Sequence, residues 1–209
     1  MAATRAESYL QQQERRSRAS RQQILDAAVQ CLAEYGYAGA STLRIQELAG
    51  ISRGRLLHHF SSRDELLVGA VQHLASARVA ELRTEVGSMI AVPDDDPARI
   101  DEAIGQMWTN FHQPFFWASI ELWVAARHND SLREALRPAE RQLQKAIHET
   151  LAVMFGPVWS ARPRYQQVVD TLLSSMRGAS VAYGFDPRTP ARDPHLAQWR
   201  DVARVLLAA

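Results

Sequence analysis

STLRIQELAGISRGRLLHHF, residues 41–60, decides the fold. It reads as two short helices joined by a glycine turn. The side-chain oxygen of Ser41 is placed to cap the first helix, Leu43, Ile45, Leu48 and Ala49 supply its apolar positions, and Gly50 lets the chain reverse. Ile51 plugs the corner and Ser52 caps the second helix. Leu56 and Phe60, four residues apart, face inward and leave Arg53, Arg55, His58 and His59 projecting. A basic, hydrogen-bonding face on a short helix suits the major groove of DNA.

Extended outward, the stretch from residue 20 to about 71 resembles the DNA-binding domain of the TetR family of bacterial transcriptional regulators. The resemblance is carried by RQQILDAAVQCLAEYGYAGAS at 21–41, by the helix-turn-helix, and by HHFSSRDELL at 58–67. It covers roughly a quarter of the chain. It implies a homodimer that binds a palindromic double-stranded DNA operator as a repressor, and a small-molecule effector, apolar or aromatic, taken up by the helical body. Arg16, Arg18, Ser41, Thr42, Ser52, Arg53, Gly54, Arg55, Leu57, His58, His59 and Arg63 form the expected DNA-contacting set. Arg53 and Arg55 are the candidates for base readout, because an arginine can fork onto guanine O6 and N7; Thr42, His59 and Arg63 are the candidates for phosphates.

Two positions depart from the family pattern. Gln46 stands where a small alanine is usual at the approach of the two helices, which implies either a slightly opened crossing or a side chain turned outward. Leu57 replaces a tyrosine that many members use to reach a phosphate, and leucine has no donor.

The chain has 209 residues, 46% of them hydrophobic, enough for one sizeable core or a small domain docked on a larger one. No apolar run approaches the ~20 residues that cross a bilayer. The N-terminus lacks an apolar signal region, so a cytoplasmic location is expected, with no membrane partner. The formal net charge of +1 conceals an asymmetry. Residues 1–63 hold nine arginines against five acids, a formal +4, while the rest hold fifteen basic residues against eighteen acids, a formal −3. The basic end carries the motif. Cys31, the single cysteine, falls on the first-helix stripe and reads as a buried thiol.

Three domains are expected: a flexible basic arm at 1–17, a helix-turn-helix domain at 18–64, and a helical effector-binding and dimerisation domain at 65–209. The arm is polar with no apolar period. Its arginines admit two readings, phosphate or minor-groove contact and ordinary solvated charge. A first helix bearing Ile24, Ala27, Ala28, Cys31 and Leu32 ends at Gly36 and Gly39. After the motif a long fourth helix, capped through Ser61 and Ser62, runs to about Val86. The body then shows five more helical stripes, with Asp130 or Ser131 capping the seventh and Pro138 kinking it. A Pro-rich loop from 186 to 194 precedes the last helix. The class is all-α, about nine helices, with a three-helix head on a larger body.

No enzymatic constellation is present. His58 and His59 are adjacent and diverge on a helix, whereas a helical zinc pair needs i, i+4 spacing. There is no phosphate loop and no nucleophile elbow, and Glu121 and His112 read as pocket-polar or surface groups. Neither catalysis, metal nor cofactor is expected. Met107, Trp108, Phe111, Phe116, Trp117, Ile120, Trp123 and Met176 read either as plain core or as the lining of an effector pocket. Dimerisation is expected on the eighth and ninth helices, through Leu172, Met176, Trp199, Val202 and Leu206 beside small residues at 174, 175, 178 and 179. The competing readings are a helical ligand-binding protein or enzyme with a vestigial head, and a DNA-binding protein without an effector.

Overall fold

The computed structural model describes residues 2–186, 188–189 and 193–208, with side chains from residue 11 onward except at 86–88. The helices are α1 (Ala2–Gly39), α2 (Thr42–Ala49), α3 (Arg53–His59), α4 (Arg63–Met89), α5 (Ala98–Asn110), α6 (Pro114–Ala126), α7 (Asp130–Ser160), α8 (Tyr165–Tyr183) and α9 (Pro194–Ala208). No strand occurs among the described residues, and the expected all-α class holds. Much of the Pro-rich loop at 186–194 lies outside the described residues.

The chain divides into two compact units, residues 1–75 with 117–140, and residues 76–116 with 141–209. This differs from the expected boundary at residue 64. The reason is visible in the first unit's core, where Ile24, Leu25, Leu32, Ile45, Leu56 and Phe60 share one apolar cluster with Leu66, Leu67 and Val71 of α4. Ala118, Leu122 and Ala126 of α6 and Leu132 and Leu136 of α7 complete it. A three-helix head of this size has little apolar surface of its own to bury, and the later segment supplies more.

Within this unit α1 begins at Ala2, so the stretch expected to be irregular through residue 17 is helical. Its alanine, glutamine, glutamate and arginine content favours helix. Pairs four residues apart add to it: Arg18 donates to Glu14 at 3.4 Å, Gln22 to Asp26 at 3.0 Å and Gln30 to Glu34 at 2.8 Å. The regular dihedrals break at Gly36 (φ 64°, ψ 179°), a left-handed φ that a side chain would strain. Cys31 is buried, as expected. Inside α7 the backbone stays helical at Pro138, and the break falls instead at Gly156 in the second unit (φ 80°, ψ 167°).

The second unit centres on Trp108, whose ring lies 4.8 Å from Trp199, 6.2 Å from Tyr183 and 4.4 Å from His112. α9 packs on α5 and α8. Ser180 Oγ donates to the Phe111 carbonyl at 2.7 Å, and Trp199 Nε1 donates to Ser175 Oγ at 2.9 Å. Arg204 pairs with Asp101, and the Arg200 Nε donates to the Asp101 carbonyl at 3.3 Å. These bonds correct the expected dimer surface. Leu172, Met176 and Trp199 are buried within the chain, so they are core of this unit and not a free face. What α8 and α9 expose is Val181, Val202 and Val205, the last at 70%, beside Ser174 and Gly178.

Candidate nucleic-acid interface

The helix-turn-helix forms for the reasons legible in its residues. Ser41 Oγ accepts from the Arg44 N–H at 3.3 Å, and Ser52 Oγ accepts from the Arg55 N–H at 3.3 Å, so each helix begins on a capped turn. Gly50 closes α2 in the left-handed region (φ 62°, ψ 35°), its N–H directed at the Gln46 and Glu47 carbonyls. Ile51 N–H donates to the Gln46 carbonyl at 3.1 Å and sets the corner. Of the four apolar positions expected to face inward on α2, only Ile45 and Ala49 are buried; Leu43, at 63% exposed, and Leu48 are not. An eight-residue helix buries one stripe, and Ile45 and Ala49, four apart, already fill it. Gln46 is half-buried.

α3 presents what its sequence indicates. Leu56 is buried and Phe60 follows it into the core, while Arg53, Arg55, Leu57 and His58 are exposed and His59 is half-buried. Gly54 has open space where a side chain would stand, so another molecule's backbone can approach the helix there. His59 is held below the ordinary histidine range, first by burial and then by the charges of His58, Arg21 and Arg55. Its imidazole is therefore neutral at neutral pH.

The remaining members of the expected set are placed less uniformly. Arg16 and Arg18 are exposed on α1, the latter paired with Glu14. Ser41 and Ser52 are exposed caps that still carry a hydroxyl proton to donate, and Thr42 is half-buried. Arg63 is half-buried and bonded within the chain. Its Nε donates to the Ala40 carbonyl at 2.9 Å, a terminal nitrogen donates to the Tyr37 carbonyl, and the guanidinium lies 4.2 Å from the Tyr37 ring. It ties the start of α4 to the chain entering α2.

Sequence reading missed four neighbours of that tie. Tyr37 Oη donates to Asp64 Oδ1 at 2.7 Å, Asn129 Nδ2 donates to Tyr37 Oη at 3.1 Å and to Asp64 Oδ2 at 3.3 Å, and Glu121 Oε2 accepts from the Tyr37 N–H at 2.9 Å. Burial, and next the Asp64 carboxylate, push the Tyr37 phenol above its usual range. Asn129 also caps α7, its Oδ1 accepting from the Leu132 N–H at 3.0 Å, so the cap is neither Asp130 nor Ser131.

The expected effector set divides between the units. Met107, Trp108, Phe111, Phe116 and Met176 are buried in the second, while Trp117, Ile120 and Trp123 are half-buried in the first. The Trp108 and Phe111 rings lie tilted at 6.2 Å, and Phe111 and Phe116 meet edge to face at 5.3 Å. His112 holds its Nδ1 3.0 Å from the Trp108 carbonyl, inside its own helix end. Among the described residues no cluster of three or more metal-ligating side chains occurs, and no helix is long and apolar enough to cross a membrane.

A capped helix-turn-helix with a basic, exposed second helix is the arrangement that DNA-docking domains present to the major groove. Residues 24–70 match the model of the N-terminal domain of bacterial regulatory proteins, tetR family. Over that domain the chain is similar to the TetR family. The HTH-type transcriptional repressor AcnR of Corynebacterium glutamicum is 40% identical over 126 residues, 56% of this chain and 62% of that one. The match thus spans less than two thirds of that relative. A putative TetR-family transcriptional regulator from Rhodococcus sp. superposes with a TM-score of 0.64 at 23% identity, covering 89% of this chain and 99% of the other. The transcriptional regulator FadR of Bacillus subtilis, solved in complex with stearoyl-CoA, superposes with a TM-score of 0.62 at 14% identity, covering 89% and 97%. These two likenesses are of fold.

Proposed function

We propose that the protein is a transcriptional repressor that binds a palindromic operator as a homodimer and is released by an apolar small molecule. The observation that carries this reading is α3, capped by Ser52, anchored by Leu56 and Phe60, and exposing Arg53, Arg55 and His58. Arg53 and Arg55 read base edges; Ser41, Thr42, Ser52, His59 and the arginines of α1 hold phosphates; Leu57 meets a thymine methyl or a sugar. Arg63, tied to the Ala40 and Tyr37 carbonyls, positions the helix and does not contact DNA. The repressor name of the relative from Corynebacterium glutamicum supports the sign of regulation.

The dimer face is the exposed stripe of Ser174, Gly178 and Val181 on α8, at spacings of four and three, with Val202 and Val205 on α9. The effector site is built on the aromatic and sulfur group around Trp108 and Phe111, and FadR's stearoyl-CoA supports an acyl or similarly apolar ligand in a body of this fold. Such a ligand acts only by binding one arrangement of the protein better than another. The test is a mobility shift with the duplex upstream of the protein's own gene, over stepped salt, with and without stearoyl-CoA. Salt-sensitive binding tighter than to a random duplex, and weakened by the ligand, is expected. Binding to no duplex at low salt points to a vestigial head; binding that stearoyl-CoA leaves unchanged removes an acyl effector from the reading.

A further inference from the structure

Two polar side chains of the later segment, Glu121 on α6 and Asn129 at the start of α7, are bonded to the chain that enters and leaves the helix-turn-helix, within one compact unit. Glu121 fits a place made for it. Gly36 turns with φ +64°, and Glu121 Oε2 accepts from the Tyr37 N–H that follows it at 2.9 Å. The left-handed φ favours glycine there, and a Cβ on Gly36 would lie 2.8 Å from that oxygen, so a side chain would displace the Glu121 carboxylate. Asn129 joins the other side. One Nδ2 reaches both Tyr37 Oη and Asp64 Oδ2, while Oδ1 holds the α7 N-terminus.

The residues so held are the two ends of the motif. Tyr37 precedes α2 by one turn of chain; Asp64, beside Arg63, opens α4 just after α3. α3 has seven residues and a single buried side chain, Leu56, with Phe60 following. So short a helix has little packing to fix its tilt, and its pose follows from where its ends are tied. Directional bonds among a carboxylate, an amide and a phenol, each acceptor matched to a donor, fix those ends better than apolar contact does.

We propose that Glu121 and Asn129 are positioning residues for the recognition helix, locking both ends of residues 37–64 and so setting the pose that α3 offers to DNA. The inference rests on the reading of α3 as the DNA-docking helix. Asn129→Asp separates the lock from the cap, because aspartate caps a helix as well as asparagine but has no Nδ2 donor and sets a carboxylate against Asp64. Glu121→Gln keeps an acceptor for the Tyr37 N–H; Glu121→Ala removes it.

The experiment pairs two readouts on the full chain: amide hydrogen exchange of the free protein, and affinity for the gene's upstream duplex against a random duplex of equal length. Asn129→Asp and Glu121→Ala are expected to speed exchange across residues 37–66 about tenfold, leaving 165–183 unchanged, and to lower the specific-to-random affinity ratio by a similar factor. Glu121→Gln stays near wild type. Should either variant fail to fold, Tyr37→Phe, which removes the hydroxyl that donates to Asp64 and accepts from Asn129, is expected to move both readouts in the same direction. Exchange unchanged in Asn129→Asp overturns the proposal, as does faster exchange with an unchanged specific-to-random ratio. A wild-type chain that binds neither duplex defeats the DNA reading alone, and the exchange data still decide whether Glu121 and Asn129 hold residues 37–64.

Discussion

The two compact units hold themselves together in different ways. In the first, long-range polar bonds converge on one place, where Tyr37, Asp64, Asn129, Glu121 and Arg63 join α1, α4, α6 and α7. The second has long-range polar bonds too, from Ser180, Trp199 and Arg204, but adds a cluster of rings, with Trp108 among Trp199, Tyr183, Phe111 and His112. Their exposed faces differ to match: arginine and histidine on α3, valine on α8 and α9. Hydrogen bonds fix direction and suit a helix that must meet base edges in one pose; ring packing tolerates small shifts and suits a region proposed to accept a ligand. The lesson is that burial alone does not describe either unit, since both have cores of similar apolar character.

The largest effect expected is from breaking the first unit while sparing the second. Phe60→Ala removes a buried ring that Arg21 covers at 5.1 Å, and should cost the first unit about 3–5 kcal/mol. Exchange protection should collapse in α2 and α3 and persist in α5, α8 and α9; uniform loss across both would show that the units do not unfold separately.

Smaller, and confined to the exposed face, is the difference between Arg53 and Arg18. Arg53→Ala should cost about 1–3 kcal/mol on the operator and relax base preference. Arg18→Ala should weaken all duplexes alike and flatten the salt slope by ~0.9. Equal losses for Arg53→Ala on specific and random DNA would remove it from base readout.

The smallest effect concerns His59. Its pKa is depressed in the folded chain, so its contribution to stability is present above the ordinary histidine value of about 6.5 and is lost as pH falls through the lower folded value. A phosphate beside it favours the charged ring, so DNA binding should take up a proton and strengthen, less than tenfold, over the same fall in pH. His59→Gln should abolish that pH dependence. A wild-type affinity that weakens on acidification would place His59 away from phosphate.

The helix-turn-helix was legible because its signals are local. Ser41, Gly50 and Ser52 act on backbone atoms within a few residues, and Leu56 with Phe60 makes its own stripe. Leu43 and Leu48 misled because apolar character indicates what can be buried and not which face meets a neighbour; with Ile45 and Ala49 inward, they were left outside. Leu172, Met176 and Trp199 misled in the opposite sense, since residues suited to an interface were already covered by their own chain. Arg63 has the charge for a phosphate, but the sequence did not show that two of its donors meet the carbonyls of Ala40 and Tyr37.

What the sequence by itself determined is the helical class, the two capped helices of the motif, the face that α3 exposes and the turn at Gly50, all fixed by interactions of a few residues' reach. Only the tertiary structure decided that residues 117–140 fold with the head, that Arg63 turns inward, and that Glu121 and Asn129 meet Tyr37 across 84 and 92 positions of chain. No local pattern marks such pairs. A lone glutamate or asparagine on a helix reads as solvated until the packing of distant helices brings a donor or an acceptor within about 3 Å of it.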